Sequence, residues 1–463
     1  MTAVKFRDMK FGVTRVKMRE GQNGIRYMMA DQALDAYAER MTDRLVHWAK
    51  EKPTQTLFAR RVKNTDGTSG DWHHISYADA LASARHIAQG LINRGLSADR
   101  PVVILSENDL EHALMALGCM VAGVPYCPAS PAYSTISQDY DKLRHILTTL
   151  TPGLVFAADA ARYGKAIQTA VGSDVEVVLT HGTAEGHKNT SFADLLATPI
   201  TPAVDAAMQA TGPDTIAKFL FTSGSTKMPK AVMNTNRMWC ANQQQMCQSM
   251  PLLAEQPPVL IDWLPWNHTF GGNHNFGMVI YNGGTLYIDD GKPTPALINE
   301  TLRNLREIAP TVYFNVPTGF EAIALAMKTD DALRRTRQLV EPGVGLRRLR
   351  EVFEAGARAE AARPQHRGVA GAAVDARDEG SGQRAPPHVA GRCAANAVGP
   401  APARRILHRD GAAPVPAEMD AGPDGERQAG GHHDDHQHRD ERVVGDELLT
   451  EHVQRHGDRR DQH

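Results

Sequence analysis

Apolar residues recur at helical spacing after Ser76, and the residues on either side of this stretch are typical of helix ends. Ser76 and Asp79 have the spacing of a capping box at the start of a helix, and Gly95 lies where a glycine would end it. Intervals of three and four residues separate the apolar positions, so the pattern predicts an amphipathic helix. These positions are Leu81, Ala84, Ile87, Ala88 and Leu91.

Short, continuous apolar runs follow, of the kind that form buried strands. A second helix is predicted over residues 111–121, ended by Gly123. Helical patterns that alternate with short apolar strands predict an α/β fold with mostly parallel sheets flanked by helices. The predicted strands are 102–105, 124–127, 154–157, 175–180 and 218–221.

The hydrophobic pattern stops near residue 335. In residues 341–463, Leu, Ile, Val and Phe together number 17 of 123, below the fraction of about 20% with which a chain can build a core. Alanine (21) and arginine (18) dominate instead, and no lysine follows Lys328. We therefore predict an N-terminal domain over residues 1–335 and a low-complexity tail without a native fold over residues 336–463.

Three interpretations of this tail are open. A disordered tail is one, although such tails usually favour lysine, glutamate and serine. A metal-binding tract is another, because histidines cluster at 431–438. The third is translation of GC-rich DNA in a shifted reading frame, which yields Ala, Gly, Arg, Pro, His and Asp and fits the absence of lysine. Composition favours the third interpretation, and with it an N-terminal domain that is incomplete.

The composition of the whole chain argues against several classes of protein. The 463 residues carry 51 Lys and Arg against 53 Asp and Glu, a net charge of −2, so we expect neither a nucleic-acid-binding face nor a polybasic membrane anchor. The sequence shows no secretory signal and no run of about 18 apolar residues. Its five cysteines lack CxxC spacing. These features predict a cytoplasmic protein without membrane contact, disulfide framework or zinc site, and they leave the oligomeric state open.

Candidate chemistry is concentrated between residues 218 and 238. A predicted strand leads directly into a cluster of hydroxyl residues around one glycine, followed by two lysines. Backbone N–H groups and hydroxyls of such a turn can surround phosphate oxygens, and lysine adds a compact positive charge. A polar surface turn is the alternative, and the GxxxxGK[ST] pattern of a Walker A loop is absent. The candidate phosphate-binding residues are Thr222, Ser223, Gly224, Ser225, Thr226, Lys227 and Lys230.

This string resembles the phosphate-binding signature of the AMP-forming adenylating enzymes, a superfamily of acyl-CoA synthetases, luciferases and peptide-synthetase adenylation domains. In that superfamily a Thr/Ser-Ser-Gly-Ser/Thr-Thr loop ending in Pro-Lys holds the outer phosphates of ATP. The match covers residues 222–226 together with Pro229 and Lys230. Lys227 departs from the pattern, since the superfamily mostly has glycine there. If that position needs a positive φ, lysine is strained; alternatively, Lys227 itself contacts phosphate.

A second segment, residues 262–290, resembles the part of the superfamily in which an aromatic residue or histidine, downstream of a Leu-Pro, borders the acyl pocket. Aromatic rings can stack on a flat ligand, a histidine can hydrogen-bond a carboxylate or phenol, and glycines allow backbone to approach the ligand closely. The alternative is that these histidines and tryptophans are core or surface residues. The candidate pocket residues are Trp266, His268, Phe270 and Gly271.

Residues 1–335 as a whole, and the string WLPWNHTFGGNH at 263–274 in particular, resemble the feruloyl-CoA synthetases. The resemblance implies a large adenylate-forming domain that uses ATP, Mg²⁺ and coenzyme A. Its substrate would be an aromatic carboxylic acid, a ferulate-like hydroxycinnamate, converted first to acyl-AMP and then to acyl-CoA. Residues 222–230 would hold the β- and γ-phosphates, and His268 with its aromatic neighbours would line the acyl pocket.

Other parts of the family pattern have no counterpart. No tyrosine follows Tyr313 and no lysine follows Lys328. The Tyr-Gly-x-Thr-Glu-like motif that serves Mg²⁺ and adenine is therefore missing, as is the catalytic lysine of the mobile C-terminal domain. Catalytic residues stay unassigned, no protein metal ligand is predicted, and activity is expected to be impaired. Two alternatives to an active ligase are open: an inactive fragment that binds nucleotide or aromatic acid, and a misfolded product with uncovered apolar surface.

Overall fold

The computed structural model describes residues 11–13, 15–222 and 228–333, which all fall within one compact unit. The strands in these residues are β1 (Val16–Glu20), β2 (Arg26–Ala30), β3 (Thr56–Lys63), β4 (Ser69–Ser76), β5 (Val102–Leu105), β6 (Tyr126–Pro128), β7 (Leu154–Asp159), β8 (Glu176–His181), β9 (Asn189–Ser191), β10 (Ile216–Thr222), β11 (Lys230–Thr235), β12 (Val259–Asp262) and β13 (Thr285–Ile288). The helices are α1 (Met41–Glu51), α2 (Tyr77–Asn93), α3 (Leu110–Ala122), α4 (Ala132–Thr135), α5 (Asp141–Leu150), α6 (Ala160–Ala170), α7 (Phe192–Leu196), α8 (Ala203–Ala210), α9 (Asn236–Ser249), α10 (Leu252–Glu255), α11 (Phe276–Asn282), α12 (Ile298–Glu307) and α13 (Pro317–Ala326).

The larger sheet has seven strands in the order β11-β10-β6-β5-β7-β8-β9. Every pair in it is parallel except β10 with β11. Side chains of β5 alternate between the two faces: Val102 and Ile104 join the core that contains α2 and α3, whereas Val103 and Leu105 join the core that contains α5 and α6. This sheet is therefore covered by helices on both faces, as parallel sheets usually are.

A second sheet has four strands in the order β12-β13-β3-β4, of which only β3 and β4 pair antiparallel. Leu260 of β12 packs into the same core as α2 and α3, and the next residue, Ile261, packs with α12 and α13. Helices α2 and α3 thus lie between the two sheets. The predicted α/β fold with mostly parallel sheets flanked by helices is confirmed.

Helix ends follow the expected chemistry. The Ser76 hydroxyl accepts the backbone N–H of Asp79 at 3.1 Å, which confirms the N-cap of α2. Gly95 and Gly123 have φ of +62° and +69°, so a left-handed residue ends α2 and α3 as predicted. Strand β6 begins two residues later than predicted, because the N–H of Val124 still donates to the carbonyl of Cys119 at the exit of α3.

The N-terminal hairpin of β1 and β2 forms a separate two-stranded sheet that the apolar pattern did not predict. Every residue of both strands is exposed, so no buried face imposes a period of two on the sequence. Within the described part of the chain no helix is long and apolar enough to cross a membrane. The predicted boundary at residue 335 and the tail over 336–463 lie outside the described residues.

Candidate functional site

The two ends of the predicted phosphate-binding loop lie side by side. Strand β10 ends at Thr222 and β11 begins at Lys230, and these two residues are partners in the antiparallel register. Both are exposed. His145 of α5 contacts the loop's exit, because its Nε2 lies 2.9 Å from the carbonyl oxygen of Pro229. The other predicted phosphate ligands, Ser223, Gly224, Ser225, Thr226 and Lys227, lie outside the described residues.

The predicted acyl-pocket segment forms a π-helix, Thr269–Asn275, that continues directly into α11. Its N-cap is His268, which is exposed and has an extended backbone. A π-helix of this length is rare, and the wider turns it contains are frequent at functional sites. The local backbone is therefore unusual at the position where the sequence predicted a ligand-facing histidine.

The aromatic candidates lie in different surroundings. Trp266 is only 4% exposed and packs edge-on against His112 and Phe276, with ring centroids 5.0 and 4.9 Å away. Phe270 is 38% exposed and lies edge-on to His274, with centroids 5.3 Å apart. The structure thus places Trp266 in the core, in line with the alternative interpretation, and Phe270 at the surface.

The glycines of this segment lie close against the chain's own backbone. A Cβ on Gly271 would lie 2.3 Å from the carbonyl oxygen of Leu264, and one on Gly272 would lie 2.1 Å from that of Trp266. These positions are therefore filled by the chain's own backbone. The missing side chain of Gly271 lets the π-helix pack against the preceding Leu-Pro-Trp turn, and the approach of its backbone to a ligand stays a prediction.

Asn108 holds that turn from the β5–α3 connection. Its Nδ2 donates to the carbonyl oxygen of Leu264 at 2.9 Å, and its Oδ1 accepts the N–H of Trp266 at 3.1 Å. One amide side chain thus satisfies both a donor and an acceptor of the turn, which is largely shielded from water. The turn before His268 is consequently fixed to the end of the central strand β5.

Helix α9 holds the π-helix from the other side. Trp239 Nε1 and Gln243 Nε2 both donate to the carbonyl oxygen of Asn273, at 2.8 and 2.9 Å. The Asn273 side chain in turn donates to Asn234 Oδ1 of β11 at 2.8 Å. Strand β11 and helix α9 directly follow the phosphate loop in the chain. The strand and the helix that follow the loop are therefore joined to the acyl-pocket segment by hydrogen bonds that involve Asn234, Trp239 and Gln243.

Burial favours neutral forms of the titratable groups around this segment. It lowers the pKa of His112 to about 4, and it also lowers the pKa of His274 below its usual value. Burial raises the pKa of the Asp262 carboxyl to about 7, although a hydrogen bond from the N–H of Leu264 opposes this rise. The inner wall of the segment consequently presents neutral histidines near pH 7.

Several of these residues were missed in the sequence. Asn108 follows a predicted strand but carries no motif, and Trp239 and Gln243 belong to a helix with few buried positions. Lys218 offered a signal, because it is a single lysine in the apolar run 218–221. In the structure its side chain is fully buried and contacts the π-helix.

A family model described as AMP-binding enzyme matches residues 45–391, more than half of the chain. The chain belongs to the AMP-binding enzyme family. The match begins within α1 and extends past residue 335, the predicted end of the N-terminal domain. Both the loop flanked by β10 and β11 and the π-helix therefore lie inside the family region.

Curated relatives of this family member include a mycosubtilin synthase and a fatty acyl-CoA synthetase. A mycosubtilin synthase polypeptide of Bacillus subtilis is 24% identical over 330 residues, covering 69% of this chain and 11% of that protein. Fatty acyl-CoA synthetase B of Dictyostelium discoideum is 26% identical over 293 residues, covering 61% of this chain and 41% of that protein. The chain thus spans less than half the length of these two relatives.

A solved structure has a similar fold. It is described as a long-chain-fatty-acid CoA ligase from Rhodopseudomonas palustris CGA009, and it is 18% identical with a TM-score of 0.50. The similarity covers 62% of this chain and 65% of that one. At this level of identity the comparison supports the α/β architecture of the family member and no more.

Proposed function

We propose that this protein derives from, and retains the binding sites of, a ligase that activates ferulate-like hydroxycinnamic acids with ATP and transfers them to coenzyme A. The observation that carries the proposal is the contact between two segments. Side chains of the two strands that flank the phosphate loop form hydrogen bonds with the π-helix that directly follows His268. A nucleotide at the loop and an acid at His268 would thus be neighbours, as the attack of a carboxylate on the α-phosphorus requires.

The nucleotide end of the site is proposed at Thr222 to Lys230. Hydroxyls and backbone N–H groups of this loop would surround the β- and γ-phosphates, and Lys227 and Lys230 would add positive charge. Mg²⁺ would arrive bound to the phosphates of ATP, since the described residues contain no group of three or more His, Cys, Asp or Glu side chains that could hold a metal. Phosphate binding would leave the α-phosphorus directed toward the acid.

The acid end is proposed at His268 and Phe270. The exposed His268 can donate a hydrogen bond to a carboxylate at the start of the π-helix. Phe270, His274 and Phe314 form a group of edge-on rings, with the last two centroids 4.6 Å apart. Such a group suits a planar phenyl ring, and it favours an aromatic acid over the saturated chain implied by the fatty acyl relatives.

The later steps of the reaction would need parts that lie beyond the predicted domain of residues 1–335. The thiol of coenzyme A would open the acyl-adenylate, a step for which the sequence resemblance calls for a lysine-bearing C-terminal domain. No lysine follows Lys328, and residues 334–463 lie outside the described part of the chain. We therefore propose that adenylation is retained better than thioester formation.

The proposal predicts that the full-length chain releases pyrophosphate from MgATP when ferulate is present. Mass spectrometry would detect the products feruloyl-AMP and feruloyl-CoA. Palmitate and phenylalanine serve as competing acids. His268→Ala should lower kcat/KM for ferulate roughly 10- to 100-fold, because the carboxylate loses its orienting donor. The matched control His181→Ala removes an exposed histidine at the end of β8 and should leave the rate unchanged.

Three results would contradict the proposal in different ways. Faster release with palmitate than with ferulate would make the proposed acid class wrong. An unchanged rate in His268→Ala would remove the role proposed for this histidine. Binding of ATP without release of pyrophosphate for any acid would identify the chain as a binding-only fragment.

A further inference from the structure

Lys218 is an unusual residue for the middle of a buried strand. It lies in β10, four residues before the strand ends at Thr222, and only 1% of it is exposed. Lysine is rarely buried completely unless an acidic group pairs with it. No ion pair to Lys218 occurs among the residues that the structure describes. Burial lowers the pKa of the Lys218 amine well below its usual value, and its amino group must be satisfied in another way.

Backbone and aromatic groups take the place of the acid. Lys218 Nζ donates to the carbonyl oxygen of Gly272 at 2.8 Å and lies 3.5 Å from the centre of the Trp239 ring. The Tyr126 ring centre is 5.7 Å away. Aromatic faces attract an N–H donor, and a cation more strongly, when both are withdrawn from water. The only hydrogen bond that Nζ makes among the described residues is thus the one to the π-helix.

The contact between Lys218 and Gly272 has a neighbour. Two residues that face each other across β10 and β11, the strands flanking the phosphate loop, each contact the π-helix. Lys218 of β10 and Asn234 of β11 are partners in the antiparallel register. Lys218 contacts Gly272, and Asn234 contacts Asn273, the next residue of the π-helix. One rung of the β10–β11 ladder therefore holds two consecutive residues of the helix that begins at His268.

An apolar side chain of similar length, such as methionine, would fill the same space without the cost of burying an amine. The feature that lysine adds is its hydrogen bond to Gly272. This bond joins the strand leading into the phosphate loop to the segment that carries the predicted acid-binding histidine. A shift of β10 on phosphate binding would consequently be transmitted to the π-helix.

We propose that Lys218 is a positioning residue that couples the phosphate loop to the acid site by fixing the π-helix at Gly272. Lys218 touches neither substrate and acts through the backbone of the π-helix. This inference rests on the proposed function, because it assumes that MgATP binds at residues 222–230. It goes beyond that function by assigning a residue through which occupation of the nucleotide site sets the position of His268.

Hydrogen–deuterium exchange of the full-length chain tests the proposal, with peptides covering 216–235, 269–276 and 154–159. In the free protein, Lys218→Met should speed exchange of the 269–276 amides about tenfold, the effect expected when one net hydrogen bond is lost. The 154–159 peptide of β7 should not change. MgATP should slow exchange of both 216–235 and 269–276 in the wild type, and of 216–235 alone in Lys218→Met.

Two further variants provide a control and a second test. Lys165→Met removes an exposed lysine of α6 and should match the wild type in every peptide. Asn234→Ala removes the neighbouring contact with Asn273 from a half-buried position. It should also speed exchange of the 269–276 amides, which gives a second test if Lys218→Met fails to fold.

Unchanged exchange of 269–276 in both Lys218→Met and Asn234→Ala would overturn the proposal. So would MgATP protection of 269–276 that survives in Lys218→Met. A wild type in which MgATP protects neither 216–235 nor 269–276 would give a third pattern. That pattern overturns the proposed function, and the coupling through Lys218 falls with it.

Discussion

Gly272 has no room for a side chain, because a Cβ there would lie 2.1 Å from the carbonyl oxygen of Trp266. The neighbouring backbone cannot easily retreat, since Asn108 holds both the Leu264 carbonyl and the Trp266 N–H. On the far side, Lys218 holds the Gly272 carbonyl itself. The backbone around Gly272 is thus held on one side by Asn108 and on the other by Lys218.

Gly272→Ala should therefore destabilise the protein by about 1–3 kcal/mol, the usual cost of forcing an extra group into a packed site. The measurement is the free energy of unfolding in urea. The control is Gly164→Ala in α6, where nothing lies within 4 Å of a new Cβ. That change should stabilise the helix by up to about 1 kcal/mol. Equal effects of the two substitutions would contradict the tight approach at Gly272.

Some of these residues could be predicted from the sequence and others could not. The pattern Leu-Pro-Trp-Asn-His drew attention to His268, which is exposed and caps the π-helix. The same pattern could not show that Trp266 is buried, because an aromatic residue such as Trp266 or Phe270 suits a hydrophobic core as well as a ligand pocket. The contact of Gly271 with the Leu264 carbonyl could not be predicted, because glycine allows close approach of any atom, whether it belongs to a ligand or to the chain.

At the scale of elements, Glu176 connects three parts of the larger sheet's edge. It lies at the start of β8 and accepts hydrogen bonds from Arg94 after α2 at 2.8 Å, from Lys188 at 2.9 Å and from Thr190 of β9 at 2.7 Å. Burial alone would raise the pKa of the Glu176 carboxyl. The hydrogen bonds and the Arg94 charge outweigh burial and lower this pKa to about 2.

This shift predicts a stability that depends on pH. Because the pKa of Glu176 is lower in the folded protein than its usual value of 4.5, the stabilisation is complete above about pH 4.5 and is lost as the pH falls toward 2. Glu176→Gln should lower the free energy of unfolding by roughly 1–3 kcal/mol at pH 7, after allowance for solvent screening. This difference from the wild type should shrink between pH 4.5 and 2.5.

Urea unfolding of both proteins across that pH range is the measurement, with Glu185→Gln at an exposed position as the control. A difference between wild type and Glu176→Gln that stays constant down to pH 2.5 would show that the carboxylate charge does not stabilise this edge.

Some elements with a clear hydrophobic pattern were predicted, whereas others, such as the amphipathic helices α5 and α12, were not. Helix α2 and strands β5, β7 and β8 lie where apolar spacing placed them. The π-helix has a longer turn than an α-helix, and one short stretch of it leaves no readable period in seven residues. Its stability comes from Asn108, Lys218, Trp239 and Gln243, which are distant in sequence, so only the folded chain reveals it.

At the scale of the whole molecule, α2 and α3 belong to a core that both sheets share. Phe58 of β3, Val102 of β5 and Leu286 of β13 are all fully buried in it. The two sheets are also joined by the contact between β10 and the π-helix. Strand β10 belongs to the larger sheet, and the π-helix lies in the chain segment that connects β12 to β13 of the smaller sheet. The candidate site therefore lies where the two sheets are connected by polar groups.

The composition of the chain changes beyond this core. Residues 341–463 hold too few Leu, Ile, Val and Phe residues for a hydrophobic core, and we propose that they are translated in a shifted frame. Resequencing codons 325–463 and translating all three frames should then reveal a Tyr-Gly-x-Thr-Glu-like motif and a late lysine in another frame. Their absence from every frame would make the tail genuine and the proposed frame shift wrong.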